Sequence, residues 1–297
     1  MFRGPSPSPI ETDLVIIGAG VTGIAASQQL LESNADFWLL GSPFESQLAK
    51  AGELRETNLP EGTIGLNYIE ELFEQLKEGG INYRSSLCTG VVVKPESFIV
   101  QTKFQDFICK TILVSTGCKQ TRLGFEGEEE FYQQGISDCT VCDFPLYRGK
   151  PVAVIGNHEY TSRAAAFMEK HAGSVSLLWY ETDGCPDIKG VDCYDHVSQV
   201  KATGGEVLEQ ISFTTADGSH TLDIQGLFVE GKPSPVTSFL VDLEIEMDNE
   251  FIVIDDAFQT NIAGLFAAGD VTGQTHNFNE ATLHGKRVGK FLSNHFN

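Results

Sequence analysis

The chain has 297 residues, 41% of them hydrophobic, and a formal net charge of -21. This length suits one large domain or two of ordinary size, and the apolar content is enough to build their cores. The acidic charge argues against nucleic acid and against an anionic membrane surface as partners, because both would repel the protein.

The amino-terminal residues 1–12 are predicted to form a flexible leader, because Pro5, Pro7 and Pro9 interrupt them and no apolar signal core is present. No stretch approaches the roughly 20 apolar residues of a membrane-spanning helix. The seven cysteines are odd in number and irregular in spacing, which is more typical of the reducing cytoplasm than of a secreted, disulfide-rich fold. We therefore expect a cytoplasmic protein without a membrane anchor.

A strand–turn–helix pattern follows the leader. Residues 13–17 form a short apolar run, typical of a strand buried in a parallel sheet, and residues 24–31 have helical character. Between them, Gly18, Gly20 and Gly23 form a Gly-x-Gly-x-x-Gly pattern. In this context the pattern gives a tight turn whose backbone N–H groups can meet a pyrophosphate, so it predicts a dinucleotide-binding turn.

The next predicted strand, residues 37–40, runs into Gly41, at a point where an acidic ribose ligand is often found. This chain has no acidic residue there. Gln47, Leu48 and Asn58 in the following loop are therefore candidate ligand contacts.

An amphipathic helix is predicted over residues 68–77, and its apolar face is expected to be ordinary core. A β pattern then continues to residue 116, with predicted strands at residues 91–93, 98–100 and 112–114. The last strand leads into Thr116 and Gly117. A glycine just past a strand end allows the backbone to approach a ligand closely.

Cys139 and Cys142 are separated by two residues and are followed by Asp143. Such a pair can close a small disulfide or hold one thiolate at low pKa, and the neighbouring carboxyl can move a proton when the disulfide opens. Half of a zinc site has the same spacing, and so does a structural pair. Because no second such pair completes a set of four ligands, the redox interpretation is favoured. The other cysteines are expected to be unpaired, with a second pair of Cys185 and Cys193 as the alternative.

These motifs, in this order, resemble those of the low-molecular-weight thioredoxin reductases, which are two-domain flavoprotein disulfide reductases. Gln47-Leu48 fits the Gly-Gln-Leu flavin loop of that family, and the redox motif fits its Cys-Ala-Thr-Cys-Asp site. Residues 260–270 are a very close match to its second FAD signature. The resemblance runs nearly from end to end.

The resemblance implies an α/β fold with two Rossmann-like three-layer domains. Residues 13–116 and 236–297 would form a discontinuous FAD-binding domain. Residues 117–235 would form a smaller inserted domain of the NADPH-binding type, which carries the redox cysteines. In the family, one cysteine faces the flavin and the other the solvent; these correspond to Cys142 and Cys139, with Asp143 as acid and base.

The resemblance also implies FAD as the cofactor, with Asp270 bound to its ribityl chain. The last helix opens with Glu280-Ala281 in place of Gln-Ala, and Glu280 would oppose a reduced anionic flavin unless it is turned away. The implied or candidate FAD contacts are Gly18, Ala19, Gly20, Thr22, Gly23, Gly41, Gln47, Leu48, Asn58, Thr116, Gly117, Gly269, Asp270, Glu280 and Ala281.

The second dinucleotide turn, which the family uses for NADPH, is altered. Where the family has Gly-x-Gly-x-x-Ala, residues 156–161 retain only the first glycine. His158 places a side chain where backbone should approach a pyrophosphate, and Glu159 adds a negative charge. The predicted strand at residues 175–179 leads into a segment with two acids and no arginine, where the family has an His-Arg-Arg cluster.

We therefore predict that the second domain has lost its nicotinamide cofactor, with a drifted but working NADPH site as the alternative. The chain is most similar to the NADPH-independent members of the family, which are ferredoxin-dependent or belong to a deeply branching cyanobacterial group. The resulting hypothesis is a FAD-dependent dithiol/disulfide oxidoreductase that passes electrons through Cys139 and Cys142 to a thioredoxin or thioredoxin-like protein.

A ferredoxin is a candidate electron donor. Because ferredoxins are usually acidic, docking would need a basic patch, either Lys286, Arg287 and Lys290 or Lys119 and Arg122. A homodimer is implied by the resemblance. The alternative function is a non-catalytic flavin/disulfide redox sensor or regulatory subunit, against which the retained Cys-x-x-Cys-Asp motif argues.

Overall fold

The structure, a computed structural model, describes residues 7–54, 59–180, 184–275 and 277–296, with the backbone alone for Gln120, Val141 and Cys142. In the described ranges, no helix has the length and apolar character needed to cross a membrane.

The chain divides into two compact units. The first unit consists of Met1–Lys119 and Pro235–Asn297, and the second unit of Gln120–Ser234. The predicted boundaries after residues 116 and 235 lie within three residues of those after 119 and 234.

The first unit begins with a parallel arrangement of strands and helices and continues into antiparallel strands. Its elements up to the second unit are β1 (Ile10–Ile17), α1 (Val21–Leu30), β2 (Phe37–Leu40), α2 (Gln47–Lys50), α3 (Gly65–Glu78), β3 (Asn82–Arg84), β4 (Cys88–Lys94), β5 (Ser97–Thr102), β6 (Phe107–Val114) and β7 (Cys118–Gln120). A short 3-10 helix, Pro43–Glu45, precedes α2.

The second unit also alternates strands and helices before it ends in a β meander. Its elements are β8 (Ile136–Ser137), α4 (Thr140–Asp143), β9 (Pro151–Gly156), α5 (Glu159–Glu169), β10 (Ser174–Tyr180), β11 (Val191–Gly204), β12 (Leu208–Thr215), β13 (Gly218–Asp223), β14 (Gly226–Glu230) and β15 (Pro233–Pro235). The chain then returns to the first unit with β16 (Met247–Asp248), β17 (Phe251–Ile252), β18 (Leu265–Ala267) and α6 (Phe278–Phe296).

The sheet of the first unit has the order β3-β2-β1-β6-β5-β4, and β18 also pairs with β6. The strands β1, β2, β3, β6 and β18 are parallel to one another, whereas β5 is antiparallel to both of its neighbours, β6 and β4. Leu14 to Ile17 are fully or almost fully buried, because β1 is covered on both faces, as its continuous apolar run predicts. The carboxyl ends of β1, β2, β6 and β18 therefore lie along one edge of the sheet.

Residues 10–12, predicted to belong to a flexible leader, lie in a strand. The strand β1 begins at Ile10, whose backbone N–H donates to the carbonyl of Asp106 at 3.0 Å. Ile10 is also in register with Phe107 of β6. These ladder contacts extend the strand beyond the apolar run from which its start was predicted.

The sheet of the second unit has the order β13-β12-β11-β10-β9-β14-β8. The neighbouring strands β8, β14, β9, β10 and β11 are parallel, and β11, β12 and β13 form an antiparallel meander. In this sheet Glu230 at the end of β14 is in register with Gly156 at the end of β9. Ser137 at the end of β8 lies opposite Phe228. The α/β class predicted for the chain is confirmed.

Candidate active site

The turn between β1 and α1 requires glycine at two of the three positions of its Gly-x-Gly-x-x-Gly pattern, because the surrounding backbone leaves no room for a side chain. Gly18 has φ of +117°, and a Cβ atom there would lie 2.3 Å from the carbonyl oxygen of Ser115. A Cβ on Gly23 would lie 1.9 Å from the carbonyl oxygen of Gly18. No side chain fits at these distances, so both glycines allow α1 to pack closely on the strands.

Gly20 is different, because its surroundings are open. A Cβ there would meet only the Cβ of Ser46, 3.9 Å away, and its φ of -76° is accessible to any residue. Gly20 is the N-cap of α1, and the first turn of that helix has no acidic residue. Free space in front of uncapped backbone N–H groups is what a pyrophosphate requires.

The neighbouring strand ends bring other predicted contacts to the same edge. A Cβ on Gly41, whose φ is +122°, would lie 3.0 Å from the backbone nitrogen of Ala19. Thr116 donates from Oγ1 to the carbonyl of Val236 at 2.7 Å. Next to it, Gly117 has φ of +67° and open space at its Cβ position. Asn58 lies outside the described residues.

Gln47 and Leu48 form the start of α2 beside this edge. The side-chain Nε2 of Gln47 donates to the carbonyl of Cys118 at 2.5 Å, and Leu48 is buried in the core. The Cys118 thiol in turn donates to the carbonyl of Asp270 at 3.2 Å. The structure thus links Gln47, which the resemblance places in a flavin loop, to the turn that carries Asp270.

The turn after β18 is held by a residue that sequence reasoning missed. The backbone N–H of Gly269 donates to Nδ1 of His284 on α6 at 3.0 Å, and Thr275 donates from Oγ1 to the side chain of Asp270. His284 is buried, and burial, assisted by Arg287, lowers its pKa. A single histidine inside a helix gave no signal in the sequence.

The start of α6 is joined to α1. Thr22 donates from Oγ1 to the carbonyl of Ala281 at 3.2 Å, and Ala281 is buried. Glu280 is exposed, and its backbone N–H donates to the side-chain oxygen of Asn277 at 3.0 Å. A Cβ on Gly269 would lie 2.4 Å from Oγ1 of Thr22, so the turns after β1 and β18 are in direct contact.

The disulfide site lies in the second unit, between β8 and α4. Cys139 is disulfide-bonded, and the side chain of Cys142 lies outside the described atoms. Ser137 donates from Oγ to a carboxyl oxygen of Asp143 at 2.7 Å and accepts from the backbone N–H of Cys139 at 3.0 Å. One hydroxyl therefore holds both the start of the cysteine turn and the predicted acid/base.

Comparison with known proteins identifies the chain's family. The family model of the pyridine nucleotide-disulphide oxidoreductases matches residues 12–183 and 187–285. The chain belongs to this family. A curated thioredoxin reductase of Ureaplasma parvum is 28% identical to it over 281 residues, covering 87% of this chain and 88% of the relative.

Solved structures of thioredoxin reductases share the fold of this oxidoreductase. One from Streptococcus pyogenes matches with a TM-score of 0.79 and 23% identity, over 97% of this chain and 99% of that one. A ferredoxin-flavin thioredoxin reductase from Clostridium acetobutylicum matches with a TM-score of 0.55 and 21% identity, over 97% and 99% of the two chains. The predicted pair of Rossmann-like domains is confirmed, and the chain is thioredoxin-reductase-like.

Family membership identifies FAD as the cofactor, as the resemblance implied. The first unit fits this group: Gly20 leaves room in front of the first turn of α1, and three further strand-end turns meet beside it. The residues that would hold FAD are those of the turn at residues 18–23, together with Gly41, Gln47, Thr116, Gly117 and Asp270.

In the second unit of this oxidoreductase, side chains cap the helix that follows the corresponding turn after β9. Nδ1 of His158 accepts from the backbone N–H of Tyr160 at 3.2 Å, and the backbone N–H of His158 donates to Oγ1 of Thr161 at 3.4 Å. His158 and Thr161 thus form a capping box on α5. Glu159 adds an acidic side chain to the first turn, where it pairs with Arg163.

Cys185 and Cys193 form a disulfide, so the expectation that they are unpaired thiols is wrong. Their Cα atoms are 6.4 Å apart, and eight positions separate them in sequence. Cys193 lies on β11, opposite Leu177 of β10, and the segment before β11 folds back to bring Cys185 to it. The sequence showed a shared loop but not this return of the chain.

Proposed function

We propose that the chain is a FAD-dependent dithiol/disulfide oxidoreductase of the thioredoxin reductase type that does not take its electrons from NADPH. Its acceptor is a thioredoxin or thioredoxin-like protein, which it reduces through Cys139 and Cys142. The observation that carries the proposal is the contrast between the N-termini of α1 and α5. The two helices follow equivalent strands of their own units. The N-terminus of α1 has no side-chain cap and no acidic residue in its first turn, whereas that of α5 has both.

The N-terminus of α1 keeps its N–H donors for a ligand, since Gly20 has no side chain and the turn carries no acid. At α5, Nδ1 of the His158 imidazole accepts a hydrogen bond from the backbone N–H of Tyr160, so a side chain caps this helix. Glu159 adds negative charge where a pyrophosphate would need positive potential. This contrast supports retention of FAD and loss of the nicotinamide cofactor.

The name of the family refers to pyridine nucleotides, and the Ureaplasma relative is called simply thioredoxin reductase. The Clostridium neighbour is called a ferredoxin-flavin thioredoxin reductase. We propose a ferredoxin as the donor here too. Because the chain has a net charge of -21, an acidic donor can dock only where the surface is locally basic. Such a surface is offered by α6, on which Lys286, Arg287 and Lys290 are all exposed.

The chain's own residues have separable roles in this scheme. FAD, when bound, supplies the two electrons that open the disulfide. Cys139 provides one sulfur of that disulfide, and Cys142, by its place in the motif, provides the other. Asp143, oriented by Ser137, moves the proton of a cysteine thiol. Thiolate formed in this way attacks the disulfide of the protein substrate.

An anaerobic flavin spectrum tests the donor. NADPH, NADH and reduced ferredoxin are added in turn to the holoenzyme, and oxidised thioredoxin is added afterwards. We expect bleaching only by reduced ferredoxin and recovery of the flavin absorbance with thioredoxin. Bleaching by NADPH would contradict the central part of the proposal.

A variant separates the disulfide step from flavin reduction. In Cys139→Ser, the flavin should still bleach, but thioredoxin should not restore its absorbance. Full thioredoxin reduction by this variant would exclude the cysteine pair as the route of the electrons. Absence of thioredoxin reduction by the wild type would instead favour the non-catalytic sensor.

A further inference from the structure

Glu230 carries a buried carboxyl group in the second unit. It is the last residue of β14, a strand in which all five residues are buried, and it is itself 7% exposed. Carboxyl groups are rarely buried to this degree unless they are paired or hydrogen-bonded. Its position therefore calls for a partner.

The partner is the redox-cysteine turn. Thr140, which lies between Cys139 and Cys142, donates from Oγ1 to Oε1 of Glu230. Thr140 is 4% exposed and is the first residue of α4. The carboxyl thus holds the turn from the interior of the unit, on the side away from solvent.

The charges around Glu230 favour its neutral form. Burial raises the pKa of Glu230 to about 7, and the negative charge of Asp138 acts in the same direction, whereas the hydroxyl and backbone of Thr140 oppose the shift. Asp138 itself accepts from the hydroxyl of Tyr132 at 3.0 Å.

The other titratable groups near this carboxyl lie on the elements next to β14. His158 caps α5, and its pKa is lowered by burial, with a smaller effect from Lys232 just beyond β14. Asp143 lies on α4, and its carboxyl accepts from Ser137. The strands β8 and β9, which flank β14, have no titratable side chain.

We propose that Glu230 is a positioning residue of the disulfide site, which holds Thr140 and takes up a proton when the neighbouring disulfide is reduced. The inference rests on the proposed function, because it treats the disulfide of Cys139 as the working one. No similar carboxyl contact was evident in the sequence, since Thr140 and Glu230 are 90 positions apart.

The proton balance gives the physical reason. Reduction breaks one S–S bond, takes two electrons and, near neutral pH, leaves one thiol and one thiolate, which consumes one proton. The new thiolate places a negative charge near a buried carboxyl, where low polarity strengthens the repulsion. Protonation of Glu230 removes that repulsion, so up to one further proton is taken up.

A glutamine at this position separates the two roles. Its side-chain oxygen can still accept the hydrogen bond of Thr140, but it cannot titrate. Glu230→Gln should therefore keep the turn in place and lose only the coupling to protons. Glu128→Gln is the matched control, because Glu128 is 2% exposed in the same unit but accepts from the backbone of Leu123 and Gly124.

The experiment equilibrates anaerobic holoenzyme with buffers of reduced and oxidised dithiothreitol from about pH 6 to about pH 9. Dithiothreitol supplies the electrons and is oxidised to its cyclic disulfide. Alkylation and peptide mass spectrometry then give the reduced fraction of the Cys139 peptide, separately from the Cys185–Cys193 peptide. This readout needs neither the physiological donor nor thioredoxin.

Each reduced fraction gives an equilibrium constant for reduction of the Cys139 disulfide by dithiothreitol. We expect the wild-type constant, divided by that of Glu230→Gln, to fall as pH rises through neutrality. The fall is about tenfold for each unit by which the thiolate raises the pKa of Glu230. Glu128→Gln should follow the wild type. In a second variant, Thr140→Val, this fall should occur at higher pH than in the wild type, because the lost hydroxyl no longer favours the ionised carboxyl of Glu230.

If the equilibrium constants of wild type and Glu230→Gln change with pH in the same way, this inference is overturned and the proposed function is left intact. A Cys139 peptide that remains oxidised at every dithiothreitol ratio would overturn both. The two failures are therefore distinguishable.

Discussion

The backbone N–H of Gly269 donates a hydrogen bond to Nδ1 of His284, 3.0 Å away. The acceptor role of Nδ1 requires a neutral imidazole with its proton on Nε2. Burial lowers the pKa of His284, as does Arg287 one turn further along α6, so the neutral form is the stable one. Through this bond, α6 fixes the turn whose next residue is Asp270.

This relationship predicts a pH dependence of cofactor retention. A histidine whose folded pKa is lowered contributes stability above its unfolded pKa of about 6.5, and loses that contribution as pH falls below it. We expect the holoenzyme to release flavin, and its melting temperature to fall, as pH decreases from about 7.5 to about 5. Flavin fluorescence and thermal unfolding measure the two effects.

Two variants on the same helix control this prediction. His284→Asn retains an uncharged acceptor and should flatten the pH dependence, although it costs roughly 1 kcal/mol of packing. His295→Asn changes an exposed histidine of α6 and should behave as the wild type. If His284→Asn and the wild type lose flavin at the same pH, His284 is not the responsible group.

The glycines of the first turn should differ sharply on substitution. Gly23→Ala places a Cβ 1.9 Å from the Gly18 carbonyl oxygen and should destabilise the first unit by roughly 2–3 kcal/mol. Gly20→Ala meets nothing closer than 3.9 Å, so its free energy of unfolding without flavin should change by less than about 1 kcal/mol.

Flavin affinity should nevertheless fall in Gly20→Ala, by roughly tenfold or more, because the methyl group stands where the pyrophosphate approaches. Flavin content after gel filtration and denaturant unfolding of the apoprotein separate the two effects. Normal flavin binding by Gly20→Ala would show that the cofactor's phosphates lie elsewhere.

The sequence was sufficient for much of this fold because the relevant signals are local. The apolar run at residues 14–17, the glycine turn after it and the strand at Phe37–Leu40 each depend on neighbours within a few positions. The predicted helix at residues 68–77 likewise lies inside α3. Periodicity and turn chemistry act over these distances, so they can be recognised without a structure.

The contacts that finish the sites are of another kind. Thr140 and Glu230 are 90 positions apart, and Gly269 and His284 are joined only because α6 returns to the strand ends. Such pairs depend on tertiary packing, so no signal in the sequence indicated the roles of Glu230 and His284. The same reasoning applies to Cys185, whose partner is decided by how its loop folds back.

The hydroxyl of Ser137 should affect turnover through Asp143. Loss of the acid/base in Asp143→Asn should lower thioredoxin reduction by about 10²-fold or more. Ser137→Ala leaves the carboxyl in place but removes its 2.7 Å contact, so a smaller loss, roughly tenfold, is expected. Stopped-flow reoxidation of the prereduced flavin by thioredoxin gives both rates.

Initial flavin reduction provides the control for these variants, since neither residue belongs to the first unit and the rate should stay unchanged. Equal rates for Asp143→Asn and the wild type would assign the proton transfer to another group.

The Cys185–Cys193 disulfide should stabilise the second unit. For a loop of eight positions, the entropy removed from the unfolded chain corresponds to about 2.5 kcal/mol. Cys193→Ser should lower the free energy of unfolding by about this amount in oxidising buffer and leave it unchanged in dithiothreitol. Unfolding in urea with and without reductant measures it.

Alkylation of the native protein checks that the pair is closed. Burial raises the pKa of Cys88, Cys109 and Cys118 to about 12, so none of these thiols should react near pH 8. Labelling of Cys185 or Cys193 in unreduced protein would contradict the disulfide.

The return of the chain to the first unit also has a consequence during translation. The second unit is continuous in sequence, whereas the first needs β18 beside β6 and α6 against α1, where a Cβ on Gly285 would lie 2.3 Å from the Thr22 carbonyl oxygen. The second unit can therefore fold on the ribosome while the first still waits for its last helix. Asp270 and His284 emerge after it, so flavin uptake is a late event in the biosynthesis of this protein.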